Sequence, residues 1–107
     1  MLNSAQVTKI KKSIGGDKSE QLPFMFSALG DAGRFRVFTL LTEHKDICVT
    51  DIANVLGISV PAASQQLKIL EMSGLVRRER SGQIICYHLK NDNPVVKLII
   101  KMLQTRL

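Results

Sequence analysis

The chain is poor in several things, and each shortage narrows what it can be. It has no tryptophan, two cysteines and only 5% aromatic residues. Cys48 and Cys86 make neither a disulfide framework nor a CxxC zinc or redox motif. A structural disulfide is not expected in a reducing compartment. Apolar runs stop at four residues, far below the roughly 20 needed to span a bilayer. Met1-Leu2-Asn3-Ser4 offers neither the charged start nor the apolar stretch of a signal peptide, so the expected location is the cytoplasm, with no membrane partner. There is no phosphate-binding glycine loop, no nucleophile elbow and no paired-acid constellation, and two histidines add little. The chain is therefore not expected to be an enzyme, and it calls for no cofactor and no resident metal.

What is present is ordinary globular material. With 107 residues, 45% hydrophobic and 22% charged, the chain has room for one modest core. Fifteen Lys and Arg against nine Asp and Glu give a net charge of +6. That balance favours a polyanionic partner through phosphate contacts and counterion release.

Along the chain, residues 1–18 carry Lys9, Lys11, Lys12 and Lys18 around a weak apolar set and read as a basic arm or short helix ahead of the main domain, 19–107. Ser19, with Pro23 in what would be the first turn, signals a helix whose buried stripe is Leu22, Met25, Phe26 and Leu29. Asp31 caps the next helix, with Phe35, Val37, Phe38, Leu40 and Leu41 on its apolar face and Arg34 and Arg36 pointing elsewhere. Ile47-Cys48-Val49 is a brief strand, and Thr50-Asp51 offers a cap for a helix that Gly57 stops. Ser59 caps a longer helix with Pro61 in its first turn and Ala63, Leu67 and Leu70 as its core face. Two strands follow, Leu75 to Arg80 and Ile84 to Leu89, turned at Ser81-Gly82-Gln83. Eight of the last thirteen residues are apolar, which gives a terminal helix wider in apolar face than one domain needs. Its Val96, Ile99, Ile100 and Leu103 are the expected dimer contacts, together with the N-terminal helices.

The segment Val49 to Gly74, a short helix, a turn and a longer helix, is a helix-turn-helix. The fold class is thus mainly α with a small β-hairpin wing, a winged helix-turn-helix. On the second helix, Ser59, Val60, Pro61, Ala62, Ser64, Gln65 and Lys68 stand at or opposite the start of the core stripe. Small residues let that helix approach base edges, glutamine can pair with adenine, and lysine meets phosphate. Such a face can also be merely solvated. Arg77, Arg78, Arg80 and Gln83 on the following hairpin favour the double-stranded DNA reading, since a basic wing can straddle the phosphate backbone. The competing reading is a winged helix that binds only protein.

Over residues 19–107 the sequence resembles the ArsR/SmtB family of winged-helix repressors. The matching stretches are Leu29-Gly30-Asp31-Ala32-Gly33-Arg34-Phe35-Arg36-Val37, Ile47 to Ala53, Ile58 to Leu70 and Gly74-Leu75-Val76. The resemblance implies a homodimer, a palindromic operator and repression relieved by an effector. It also shows departures. Arsenic sensors of the family carry a Cys-Val-Cys pair where this chain has Cys48-Val49-Thr50, and zinc sensors place ligands on the last helix, where residues 93–107 have no His, Cys, Asp or Glu. Pro61 replaces a serine common in the family.

In a winged helix the strand at Ile47 to Val49 lies beside the final wing strand. By the period-2 rule Cys48, Cys86 and His88 then share the face away from the core, with His44 just upstream of Cys48. The plain reading is two half-buried strand cysteines and two solvated histidines. The sharper one is an inducer site, either a thiol switch or a soft-metal site of Cys48, Cys86 and one histidine.

Overall fold

The computed structural model describes residues 1–14 and 21–105, so the helix-start signal at Ser19 lies outside the described residues. In chain order the elements are α1 (Ser4–Ile14), α2 (Gln21–Leu29), α3 (Ala32–Glu43), α4 (Val49–Leu56), α5 (Val60–Met72), β1 (Val76–Ser81), β2 (Ile84–Leu89) and α6 (Pro94–Gln104). Side chains take up free amides where these helices begin. Asp31 accepts from Arg34 N at 3.0 Å, Ser59 from Ala62 N at 3.1 Å and Asn93 from Val95 N at 2.9 Å. At the other end of α4, Gly57 takes the left-handed conformation (φ 67°) and turns the chain into the second helix of the motif.

The start of α4 differs from the sequence reading. The helix begins at Val49, with Cys48 rather than Thr50 in the capping position, because the Asp51 carboxylate accepts from Cys48 N at 3.0 Å. The strand expected at 47–49 is reduced to one antiparallel bridge, Cys48 opposite Cys86. β1 and β2 pair antiparallel from Val76–Leu89 to Ser81–Ile84, leaving Gly82 (φ 63°) and Gln83 as the turn.

The core gathers around α5. Ala63, Leu67 and Leu70 are fully buried against Phe38 and Leu41 of α3, Ile52 of α4, and Leu75, Val76, Tyr87 and Val96 further along. These residues hold the helix-turn-helix and the root of the hairpin as one packed unit. On α2 the inward residues are Met25 and Ala28, whereas Phe26, expected in the buried stripe, is 60% exposed and Leu22 is also exposed. The helix rests on α3 and α5 along one edge, so its apolar residues outnumber the positions that edge can cover. Phe35 on α3 likewise stays 39% exposed.

A second correction concerns α6. Val96 and Ile99 are buried within their own protomer, and Ile100 and Leu103 are half-buried against the same core. The apolar side chains that α6 presents outward are Leu98 and Met102, one turn apart. α1 buries none of its residues. No helix among the described residues is long and apolar enough to cross a membrane.

Candidate nucleic-acid interface

The start of α5 projects from the core with its outer face free. Ser59, Val60, Pro61, Ala62, Ser64, Gln65 and Lys68 are all exposed, while Ala63 and Leu67 anchor the opposite face. Gln66 belongs to neither group. It is half-buried and accepts from Arg34 Nη1 at 3.4 Å, so the two adjacent glutamines have different surroundings. Arg34, read from the sequence as pointing away, also donates from Nε to Ala28 O at 2.9 Å and thereby joins α2, α3 and α5.

The hairpin register divides the wing residues into two sets. Val76, Arg78 and Arg80 share one face with their partners Leu89, Tyr87 and Ile85, and Arg77 and Glu79 share the other with His88 and Cys86. On the first face, Arg78 and Gln83 join Val60, Ser64 and Lys68 of α5 around a cleft of about 450 Å³. Tyr87 and Glu71 also line it. Burial holds the Tyr87 hydroxyl above the ordinary phenol range; Glu71 pushes the same way and Arg78 opposes both. Arg80 donates from Nε to Gly82 O at 3.0 Å, which folds its guanidinium over the hairpin turn.

Arg77 is on the other face. Its Nη1 donates to Glu79 Oε2 at 3.0 Å, and His88 Nε2 lies 3.4 Å from the same oxygen. The grouping of three wing arginines in the sequence is therefore split by the pleat: Arg78 and Arg80 face the α5 side, and Arg77 is paired with a carboxylate away from it. A charge run cannot reveal this without the register.

That same face carries the cysteines. Cys48 and Cys86 are joined as a disulfide with Cα atoms 4.5 Å apart, the spacing of a directly opposed strand pair. Their adjacency follows the parity of the two strands, although the bond itself departs from the expectation of reduced thiols. His88 borders the same recess, with Lys45, Glu79 and Ser81, but His44 ends α3 in an exposed position and does not line it. Among the described residues no three His, Cys, Asp or Glu side chains are grouped to hold a metal ion, so the soft-metal alternative finds no ligand set.

Comparison with known proteins places these features in a lineage. The model of the MarR family matches residues 32–83, which span α3, the helix-turn-helix and the first strand and turn of the wing. The transcriptional repressor SmtB homolog of a Synechocystis species is 33% identical over 92% of this chain and 74% of its own length. Among solved structures, HlyU from Vibrio cholerae superposes with a TM-score of 0.72 at 25% identity, covering 83% of this chain and 94% of that one. A homodimeric winged helix-turn-helix DNA-binding domain from Mycobacterium bovis gives a TM-score of 0.68 at 21% identity over 98% of this chain and 86% of its own, a likeness of fold.

Proposed function

This chain belongs to the ArsR/SmtB family of winged helix-turn-helix transcriptional repressors, and from that premise we propose that it is a cytoplasmic, non-enzymatic homodimer that represses by binding a palindromic DNA operator and is released by an effector. The observation that carries this reading is the shared cleft: the exposed outer face of α5 and the Arg78 side of the wing open onto one surface. A helix fits the major groove with its N-terminal residues toward the bases. In that pose Ser64 and Gln65 reach base edges. Lys68, Arg78 and Arg80 meet phosphates, a sequence-independent contribution that weakens with salt.

Dimerisation supplies the palindrome, since a two-fold protein presents two identical reading helices to two half-sites. The exposed apolar residues Phe24, Phe26, Leu98 and Met102 supply surface for that contact. The test is selection of duplexes from a random library, followed by retention measurements across a salt series. Enrichment of an inverted repeat whose binding falls steeply with salt is the expected result. Failure to enrich any sequence, with no retention at low salt, leaves the protein-only winged helix as the correct reading.

A further inference from the structure

Cys48 borders both the α5–wing cleft and the recess on the far side of the wing, and only in that recess does Cys86 join it. Cys48 stands at the capping position of the first helix of the motif, and Cys86 lies in the wing strand β2. One disulfide therefore spans the two parts whose relative position sets the reading cleft. Apart from it, the described strand pairing between this segment and β2 is the single bridge at Cys48 and Cys86. Both cysteines are half-buried rather than enclosed, and their recess is bordered by the basic groups Lys45 and His88 and by Glu79. Partial exposure lets a small thiol or disulfide reach the sulfurs, and the thiolate is the attacking form in disulfide exchange.

We propose that Cys48 and Cys86 form a reversible dithiol–disulfide site for low-molecular-weight thiols and disulfides, and that its closure locks the wing against the helix-turn-helix in the DNA-reading arrangement. This deepens the proposed function and rests on it, because the cleft is read there as the DNA interface. The exchange balances in two steps. The thiolate of one cysteine attacks a small disulfide, forming a mixed disulfide and expelling one small thiolate. The second cysteine thiolate then attacks the protein sulfur of that mixed disulfide, forming the Cys48–Cys86 bond and expelling the other. The protein gives up two electrons and two protons, and two small thiols are the reduced product. An excess of small thiol runs the sequence backwards.

The polarity follows from what the bonded form displays. Arg78, Gln83, Ser64 and Lys68 already line one cleft while the bond is closed, so the bonded form presents the surface assigned to DNA. Opening it leaves the hairpin root held by its bridge and by side-chain packing, and binding must then restrict the wing's added freedom. The small thiol is thus the releasing effector. By linkage, DNA favours the disulfide by the same factor by which the disulfide favours DNA.

The experiment equilibrates the full chain with oxidised and reduced glutathione at a series of ratios, with and without the duplex selected above. Thiol trapping reads the bond, fluorescence anisotropy reads DNA affinity, and amide exchange across 84–89 reads the wing. The disulfide form is expected to bind on the order of fivefold tighter or more, with DNA shifting the glutathione ratio at half-oxidation correspondingly. The double variant Cys48→Ser/Cys86→Ser should bind like the reduced chain at every ratio. Equal affinity in both states, tighter binding when reduced, or a glutathione response surviving in the double variant overturns the proposal. If neither state binds DNA, the proposed function fails instead, and amide exchange then decides alone: unchanged protection of β2 on reduction overturns the tether.

Discussion

Arg34 reaches from α3 to Gln66 on the back of α5, 3.4 Å away, while its Nε holds the last turn of α2 through Ala28 O at 2.9 Å. The side chain is four-fifths covered, with only 20% of it exposed. Gly33 beside it is tight as well, since a Cβ there would stand 3.0 Å from Gln66 Nε2. The reading helix is thus seated from behind by a charged group. Arg34→Ala should destabilise the fold by roughly 1–3 kcal/mol, the usual cost of hydrogen bonds to a charged partner lost in a partly buried place. Urea denaturation decides: a midpoint matching the parent would mean that the contact is incidental.

The split of the wing arginines predicts unequal effects from similar substitutions. Arg78→Ala and Arg80→Ala should weaken binding to all sequences alike and lower the salt slope by about one each. Arg77→Ala should change little, since its guanidinium is paired with Glu79 at 3.0 Å on the opposite face. Gln65→Ala should instead relax preference at one base position per half-site by about 1–3 kcal/mol. An Arg77 variant as impaired as the Arg78 variant would show that the hairpin docks by its other face.

For α6, burial separates two kinds of substitution. Leu98→Asp and Met102→Asp alter exposed side chains, and the expected product is a folded monomer seen by sedimentation equilibrium with an unchanged helical spectrum. Val96→Asp places a charge where nothing is exposed and should unfold the protomer. A Leu98→Asp chain that sediments as the parent dimer would move the interface away from α6.

Reduction should also lower stability even without DNA. The Cys48–Cys86 bond closes a loop holding the whole helix-turn-helix and part of the wing, and a loop of this length is worth roughly 2–4 kcal/mol through the unfolded chain. Thermal melts with and without a phosphine reductant should differ by that amount in the parent and not at all in the double serine variant. A parent indifferent to reductant would show that the bond adds no net stability.

The amino-acid sequence spoke clearly where local chemistry decides. Asp31, Ser59 and Gly57 mark helix ends because their side chain or conformation acts within one turn, and Ala63, Leu67 and Leu70 announce a buried stripe by spacing alone. The same spacing misjudged Val96 and Ile99, since a width of apolar face does not say which part meets the chain's own core. Arg34 was illegible for a related reason: its partner Gln66 is distant in sequence, and no periodicity links them. The cysteines fall between these cases. Alternation placed Cys48 and Cys86 on a common side, yet whether two sulfurs meet depends on exact strand register, which only the folded chain supplies.

Gly82, at the wing turn, has a left-handed backbone and nothing within 4 Å of where a Cβ would stand. The Cβ side of the hairpin tip is therefore open, and the turn is held by its backbone conformation and by the Arg80 bond to Gly82 O. Matched residues inserted on both sides of that turn would lengthen the wing by about 3.3 Å per added pair without touching the core. Reach along the sugar-phosphate backbone thus becomes a property that can be dialled independently of which bases α5 reads.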